Sequence, residues 1–337
     1  MTPPRRPTAV IAHLGGLRFF GRRDMARLDE VATILDAEPI GTWDDPWAET
    51  LLADAEVVIG HWGCPTLDAA MLDRAPHLAL LAYAAGTVKE VVTPEVFARD
   101  IRVTSGARAN AEPVAEFTLA AILFAGKDVL WRRSGAADAP PMAPVGRGGV
   151  RPGNWARTIG IVGASLVGRR VIELLRPFPA LAVSVYDPFL SATEAAQLGV
   201  AKVDLDELCR TADVLSIHAP DLPSTHHLVA GPQLAALRDG ATLINTARGA
   251  LVDHDALAAE LQSGRLRAIL DVTDPEPLPV DHVLRRSPNV FLTPHLAGSE
   301  GTELRRMSAD VAEEIRRWTA GEPALNEVRL DHLDRLA

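Results

Sequence analysis

The chain has 337 residues, 47% of them hydrophobic and 23% charged, with a formal net charge of −10. That length suits two domains, and that balance excludes a largely disordered chain. No apolar run approaches the ~20 residues of a membrane span, two cysteines cannot build a disulfide framework or a zinc cluster, and the acidic balance gives no help to non-specific nucleic-acid binding.

Thr8–Ala12 reads as a strand and Met25–Leu35 as a helix. Glu56–Gly60 reads as a buried strand, Leu67–Asp73 as a helix, and Leu78–Tyr83 and Ile101–Thr104 as strands. Such alternation predicts a parallel sheet with helices on both faces. A long helix is predicted over Glu112–Val129, and the proline- and glycine-rich stretch 135–154 reads as a surface loop. Six further strands follow, with helices between them: Thr158–Val162, Leu181–Tyr186, Val214–His218, Thr242–Asn245, Arg267–Val272 and Asn289–Thr293. They predict a second, doubly wound unit. A last helix over about Gly301–Ala320 stops at Gly321 and Pro323.

The turn Gly163-Ala164-Ser165-Leu166-Val167-Gly168 follows a predicted strand and opens a helix, the context required for dinucleotide binding. Gly163 permits the tight turn and Gly168 close helix–strand packing. The amides of Leu166 and Val167 would face a pyrophosphate, with Arg169 as a counter-charge. Ser165 replaces the middle glycine of the motif, and its side chain is expected to hold the backbone back from the cofactor. Asp187 ends the next predicted strand. A carboxylate there accepts the ribose hydroxyls and repels a 2′-phosphate, which favours NAD over NADP.

Four later segments each end a predicted strand, where open α/β sheets place their sites. They are Ser216–Pro220, Asn245–Asp253, Leu270–Pro277 and Leu292–Gly298. In this order and spacing they resemble the D-isomer-specific 2-hydroxyacid dehydrogenases, over nearly the whole chain. Asn110–Phe117 looks like that family's interdomain segment. The resemblance implies an α/β fold of two doubly wound, Rossmann-like parallel-sheet domains. The NAD-binding domain, 108–297, is inserted in a flavodoxin-like substrate domain, 1–107 plus 298–337. It also implies hydride transfer between NAD(H) and C2 of a 2-hydroxy or 2-oxo acid.

The implied roles suit the chemistry. His295 matches the acid/base histidine, and an imidazole titrating near about 6.5 suits proton exchange at neutral pH. Glu276 matches the carboxylate that orients that ring and stabilises its imidazolium. Arg248 matches the substrate arginine, whose planar fork suits a carboxylate. His218, Ala219, Pro220 and Thr225 are expected to line the cofactor cleft. Thr246 and Ala247 are expected to meet the nicotinamide beside Arg248 and His295, and Asp271 to bind its amide. Formate dehydrogenases of the same fold carry glutamine at the position of Glu276, which argues against formate oxidation. No metal site is expected.

Substrate contacts are expected from Trp62, from Ala85 and Gly86, and from Asn110. The family's Gly-x-Gly-x-Asp loop reads here as Ala85-Gly86-Thr87-Val88-Lys89, which leaves substrate identity open. The competing reading is an NAD(H)-sensing binding protein of the same fold, like the C-terminal-binding-protein corepressors. The complete Arg248, Glu276 and His295 set argues against it. So does a basic complement of 31 Arg and 3 Lys, which suggests a GC-rich bacterial genome. A cytoplasmic homodimer is expected, with contacts near Glu112–Val129 and the loop after it, and with no nucleic-acid or membrane partner.

Overall fold

The computed structural model describes residues 5–14, 19–132 and 152–333. The chain divides into two compact units. Of the described residues, one takes those up to Asn110 together with 299–333; the other takes those from Ala111 to Gly298.

The first unit holds β1 (Thr8–Ala12), β2 (Thr33–Ile34), β3 (Val57–Gly60), β4 (Leu80–Tyr83) and β5 (Arg102–Ser105). They pair in parallel in the order β5-β4-β3-β1-β2, and the strand Glu327–Val328 joins antiparallel at the β5 edge. Neighbouring strand residues feed opposite faces. Val58 and Leu81 pack with Leu52, Met71 and Val96 on one side. Val57, Ile59 and Leu80 pack with Leu28, Met307, Val311 and Ile315 on the other. Burial of both faces explains why these strands read as continuous apolar runs.

The second unit holds β6 (Arg157–Val162), β7 (Leu181–Tyr186), β8 (Ala201–Lys202), β9 (Val214–Ile217), β10 (Thr242–Asn245), β11 (Arg267–Leu270) and β12 (Val290–Leu292). All are parallel, in the order β12-β11-β10-β9-β6-β7-β8. Leu215, Leu243 and Leu270 face one apolar cluster, and Ile161, Ile244 and Ile269 the other.

Three expectations change. The sheet has seven strands rather than six, because β8 is a two-residue edge strand. The first helix is Arg22–Val31, not Met25–Leu35. Asp24 accepts the Gly21 amide at 3.0 Å and so fixes its start, and the β-branched Thr33 and Ile34 go into β2. The long helix runs Ala107–Gly126, with Pro113 inside it, rather than Glu112–Val129. Ser105 Oγ accepts the Ala107 amide at 3.1 Å and starts it early. The loop 135–154 lies outside the described residues except for its last three. Among the described residues no helix is long and apolar enough to cross a membrane.

Candidate active site

β6 lies between β7 and β9, so strand order reverses there, and ligands of open α/β sheets bind outside the carboxyl ends at such a point. Gly163 follows β6 with φ +96°, and a Cβ on it would lie 2.6 Å from the Ala219 amide nitrogen. A Cβ on Gly168 would lie 2.1 Å from the Gly163 carbonyl oxygen. Both positions require glycine. Ser165 does not: its φ is −66°. It caps the helix Leu166–Leu175, its Oγ accepting the Gly168 amide at 3.3 Å. Leu166 and Val167 open that helix, whose first N–H groups have no acceptor within it.

Asp187 follows β7. Its Oδ2 accepts the Ala164 amide at 2.7 Å, and its Oδ1 accepts the amides of Phe189 and Leu190 at 2.7 and 3.1 Å. One carboxylate thus joins the glycine turn to the turn after β7. Arg169 is used locally, donating to the Ala164 carbonyl and to Glu194, both at 2.9 Å.

His218 follows β9 with its ring buried, Nε2 lying 2.9 Å from Ser216 Oγ. Burial pushes this imidazole down to about 3, and its Nδ1 has no partner among the described residues. What His218 presents to the glycine turn is backbone, since a Cβ on Gly163 would lie 2.8 Å from the His218 carbonyl carbon. Ala219 is buried too. Thr225 closes the following loop, donating to the Pro220 carbonyl at 2.7 Å.

Asn245 ends β10 and closes the next turn, accepting the Ala247 amide at 3.0 Å and donating to the Arg248 carbonyl at 2.8 Å. Thr246 is buried, with Oγ1 3.1 Å from Thr118 Oγ1. Arg248 is half-buried and its Nη1 donates to the Ala247 carbonyl at 2.6 Å. A Cβ on Gly249 would lie 2.1 Å from the carbonyl carbon and oxygen of Thr273. The turn carrying Arg248 therefore packs backbone to backbone on the loop carrying Glu276.

His295 follows β12. Its Nδ1 lies 2.6 Å from Glu276 Oε1, and the two side chains are 48% and 40% exposed. With Nδ1 engaged, Nε2 is the ring nitrogen left to exchange a proton. The backbone of His295 is left-handed, φ +55°, an uncommon conformation for a residue with a side chain. Asp271 maintains it. The Asp271 carbonyl accepts the His295 amide at 2.9 Å. Its buried carboxylate accepts Thr293 Oγ1 at 2.6 Å, the Leu296 amide at 2.9 Å and the Ala297 amide at 3.0 Å. Asp271 stands out in the sequence as a nicotinamide ligand, yet its oxygens are occupied by the turn that bears His295. Neither this anchoring nor the Gly249 contact has a local sequence signal. A cavity of about 450 Å3 opens here, lined among others by Asp271, Glu276, Leu278, Arg285 and His295.

Trp62, Ala85, Gly86 and Asn110 lie in the first unit. Trp62 is half-buried and stands edge-on to His61 at 4.7 Å. His61 Nδ1 accepts the Trp62 amide at 2.8 Å, and burial pushes that imidazole down to about 3. Ser105 Oγ donates to the carbonyls of Ala85 and Gly86 at 3.3 and 2.5 Å, shaping their loop. Asn110 Oδ1 accepts the Ser299 amide at 2.9 Å. It thereby joins the points where the chain leaves and re-enters the first unit.

A family model described as the NAD binding domain of D-isomer specific 2-hydroxyacid dehydrogenases matches residues 151–297. A crystallised protein from Thermus thermophilus, TT0316, superposes with a TM-score of 0.73 at 30% identity, covering 96% of this chain and 100% of its own. The chain belongs to the D-isomer-specific 2-hydroxyacid dehydrogenases. A phosphoglycerate oxidoreductase from Rhizobium etli superposes with a TM-score of 0.78 at 25% identity, over 96% of this chain and 99% of that one. The D-3-phosphoglycerate dehydrogenase of Mycobacterium bovis is 34% identical over 298 residues, 87% of this chain and 55% of that protein. The chain spans about half the length of the curated relatives it matches. As in its family, the second unit binds NAD. The side-chain-free cradle at Gly163 and Gly168, beside the Asp187 carboxylate, fits that cofactor.

Proposed function

We propose that this dehydrogenase interconverts 2-oxo and 2-hydroxy acids with NAD(H). The observation that carries the reading is the 2.6 Å contact between His295 Nδ1 and Glu276 Oε1 at the carboxyl edge of the second sheet. The cofactor supplies or takes up the hydride. The amides of Leu166 and Val167, in the turn from Gly163 to Gly168 with Ser165 as its cap, hold the pyrophosphate. Asp187 takes the adenosine ribose. His218, Ala219, Pro220 and Thr225 shape the adjoining wall, and Thr246, Ala247 and Asp271 the nicotinamide end.

His295 Nε2 gives its proton to the substrate oxygen during reduction and recovers it during oxidation. Glu276 stabilises the imidazolium and keeps the ring turned. Arg248 grips the substrate carboxylate and polarises the carbonyl. Trp62, Ala85, Gly86 and Asn110 are assigned to substrate binding in the same reading. NADH oxidation over a panel of 2-oxo acids tests it: turnover with at least one, abolished by His295→Ala, is expected, and no turnover with any rejects it. Tight NADH binding without turnover would instead support a sensor.

A homodimer belongs to the same proposal. Phe124, Val129 and Trp155 are exposed apolar side chains near the end of the long helix and after the loop, and Trp155 is 82% exposed. A concentration-independent monomer mass in sedimentation would reject it.

A further inference from the structure

We propose that Arg285 forms a subsite for a second anionic group on the substrate, so that the enzyme prefers doubly anionic 2-oxo acids; this rests on the proposed dehydrogenase activity. Arg285 lines the same cavity as Glu276 and His295. Its guanidinium is fixed on one side only. Nε and Nη2 both donate to the Leu278 carbonyl, at 3.1 and 2.6 Å. That acceptor is neutral, and Arg285 makes no ion pair with the described residues, which leaves the Nη1 edge of an exposed side chain with its charge unmet.

The other charges of the cavity are met internally. Asp271 accepts three donors from the His295 turn. Glu276 is taken by His295. Arg285 is therefore the cavity's one fixed cation without an anionic partner among the described residues. Arginine suits a carboxylate or a phosphate, since its planar edge offers N–H groups to either. Anchoring on Leu278 also removes most of the entropy a long side chain loses on binding. Arg248 holds the carboxylate next to the reacting carbon. Arg285 ends the short 3-10 turn Val283–Arg285 beyond Glu276 and is assigned the group at the far end of the substrate.

The test is a ratio, which is insensitive to the fraction of active protein. NADH-linked kcat/KM is measured for pyruvate, for the dicarboxylates oxaloacetate and 2-oxoglutarate, and for 3-phosphohydroxypyruvate. The wild type should favour at least one doubly anionic acid over pyruvate. Arg285→Gln keeps an N–H for the Leu278 carbonyl but loses the charge, and should lower that preference about tenfold or more. Arg285→Lys should retain most of it. Which acid loses most distinguishes a distal carboxylate from a phosphate. An unchanged ratio in Arg285→Gln, or a wild-type preference for pyruvate, overturns the subsite and leaves the dehydrogenase reading standing. Absence of turnover with every acid overturns both.

Discussion

Glu276 and His295 are 19 residues apart in the chain, and their side chains meet at 2.6 Å. The pair is exposed enough for a reacting molecule to reach and close enough for the carboxylate to hold the ring. Replacing His295 with Ala should lower kcat/KM for 2-oxo acid reduction by about 10²–10⁴-fold, the usual contribution of a positioned acid. Glu276→Gln keeps an acceptor but removes the charge, and should cost about 10–100-fold. Steady-state NADH oxidation with folded variants measures both, and a Glu276→Gln enzyme at wild-type rate would remove Glu276 from the mechanism.

Asp271 should act on stability and rate together. Asp271→Ala leaves three donors of the 293–297 turn without their acceptor and frees a residue in the left-handed region. The expected loss is about 2–4 kcal/mol of stability, with kcat falling more than the apparent affinity for NADH. Denaturant melts and NADH titration by fluorescence separate the two effects. If NADH affinity collapses while the melt is unchanged, Asp271 is a cofactor ligand rather than an anchor.

Gly249 tolerates no side chain. Alanine there would press its Cβ on the Thr273 backbone at 2.1 Å, and backbone on both sides must then move. We expect Gly249→Ala to lose about 1–3 kcal/mol of stability through overpacking, and to lose turnover as Arg248 shifts against Glu276. A folded, fully active Gly249→Ala protein would show that this contact does not govern catalysis.

Ser165 and Asp187 should part company. Ser165→Ala removes the cap on the Gly168 amide and should cost about 1 kcal/mol, whereas Ser165→Gly should cost only a few tenths. Neither should abolish NADH binding. Asp187→Ala should weaken it strongly, because it removes the proposed ribose acceptor and also releases the amides of Ala164, Phe189 and Leu190. Calorimetric NADH titrations of the three variants provide the comparison.

Acid should unfold the protein through its buried imidazoles. His218 and His61 are held near about 3, below the 6.5 of a free histidine, because burial penalises the charged ring. Well above pH 6.5 both states are neutral and nothing is lost. As pH falls from 6.5 towards 3 the unfolded chain takes up protons that the folded one refuses. Stability then falls by up to about 1.4 kcal/mol per pH unit for each ring. Melts at about pH 7, 6 and 5 should show the decline, with a shallower slope in His218→Asn. A slope unchanged by that substitution would mean that other groups dominate.

The parts of the fold legible in the sequence are those whose signal is local. Strands of four residues or more, such as β3 and β6, are runs of mostly buried residues, and Gly163 and Gly168 stand out because they punctuate a strand and a helix. Two-residue strands such as β2 and β8 are too short to show a period. The start of the long helix depends on one hydroxyl, Ser105 Oγ, not on composition. Within the site, Glu276 and His295 are visible because proton exchange calls for those residue types at strand ends. The contact of Gly249 with Thr273 is not visible. It follows from β10 lying beside β11, with Asn245 opposite Leu270, and no pattern along one strand carries that register.

Asn110 and Ser299 join two stretches of chain 189 residues apart, so the first unit is assembled from both sides of the second. During synthesis at about 5–20 residues per second, roughly 10–40 s separate the two stretches. Throughout that interval the sheet face formed by Val57, Ile59 and Leu80 lacks its cover of Met307, Val311 and Ile315, while the uninterrupted second unit can already fold. That apolar face of the nascent first unit therefore stays open to solvent until the helix Leu304–Thr319 arrives.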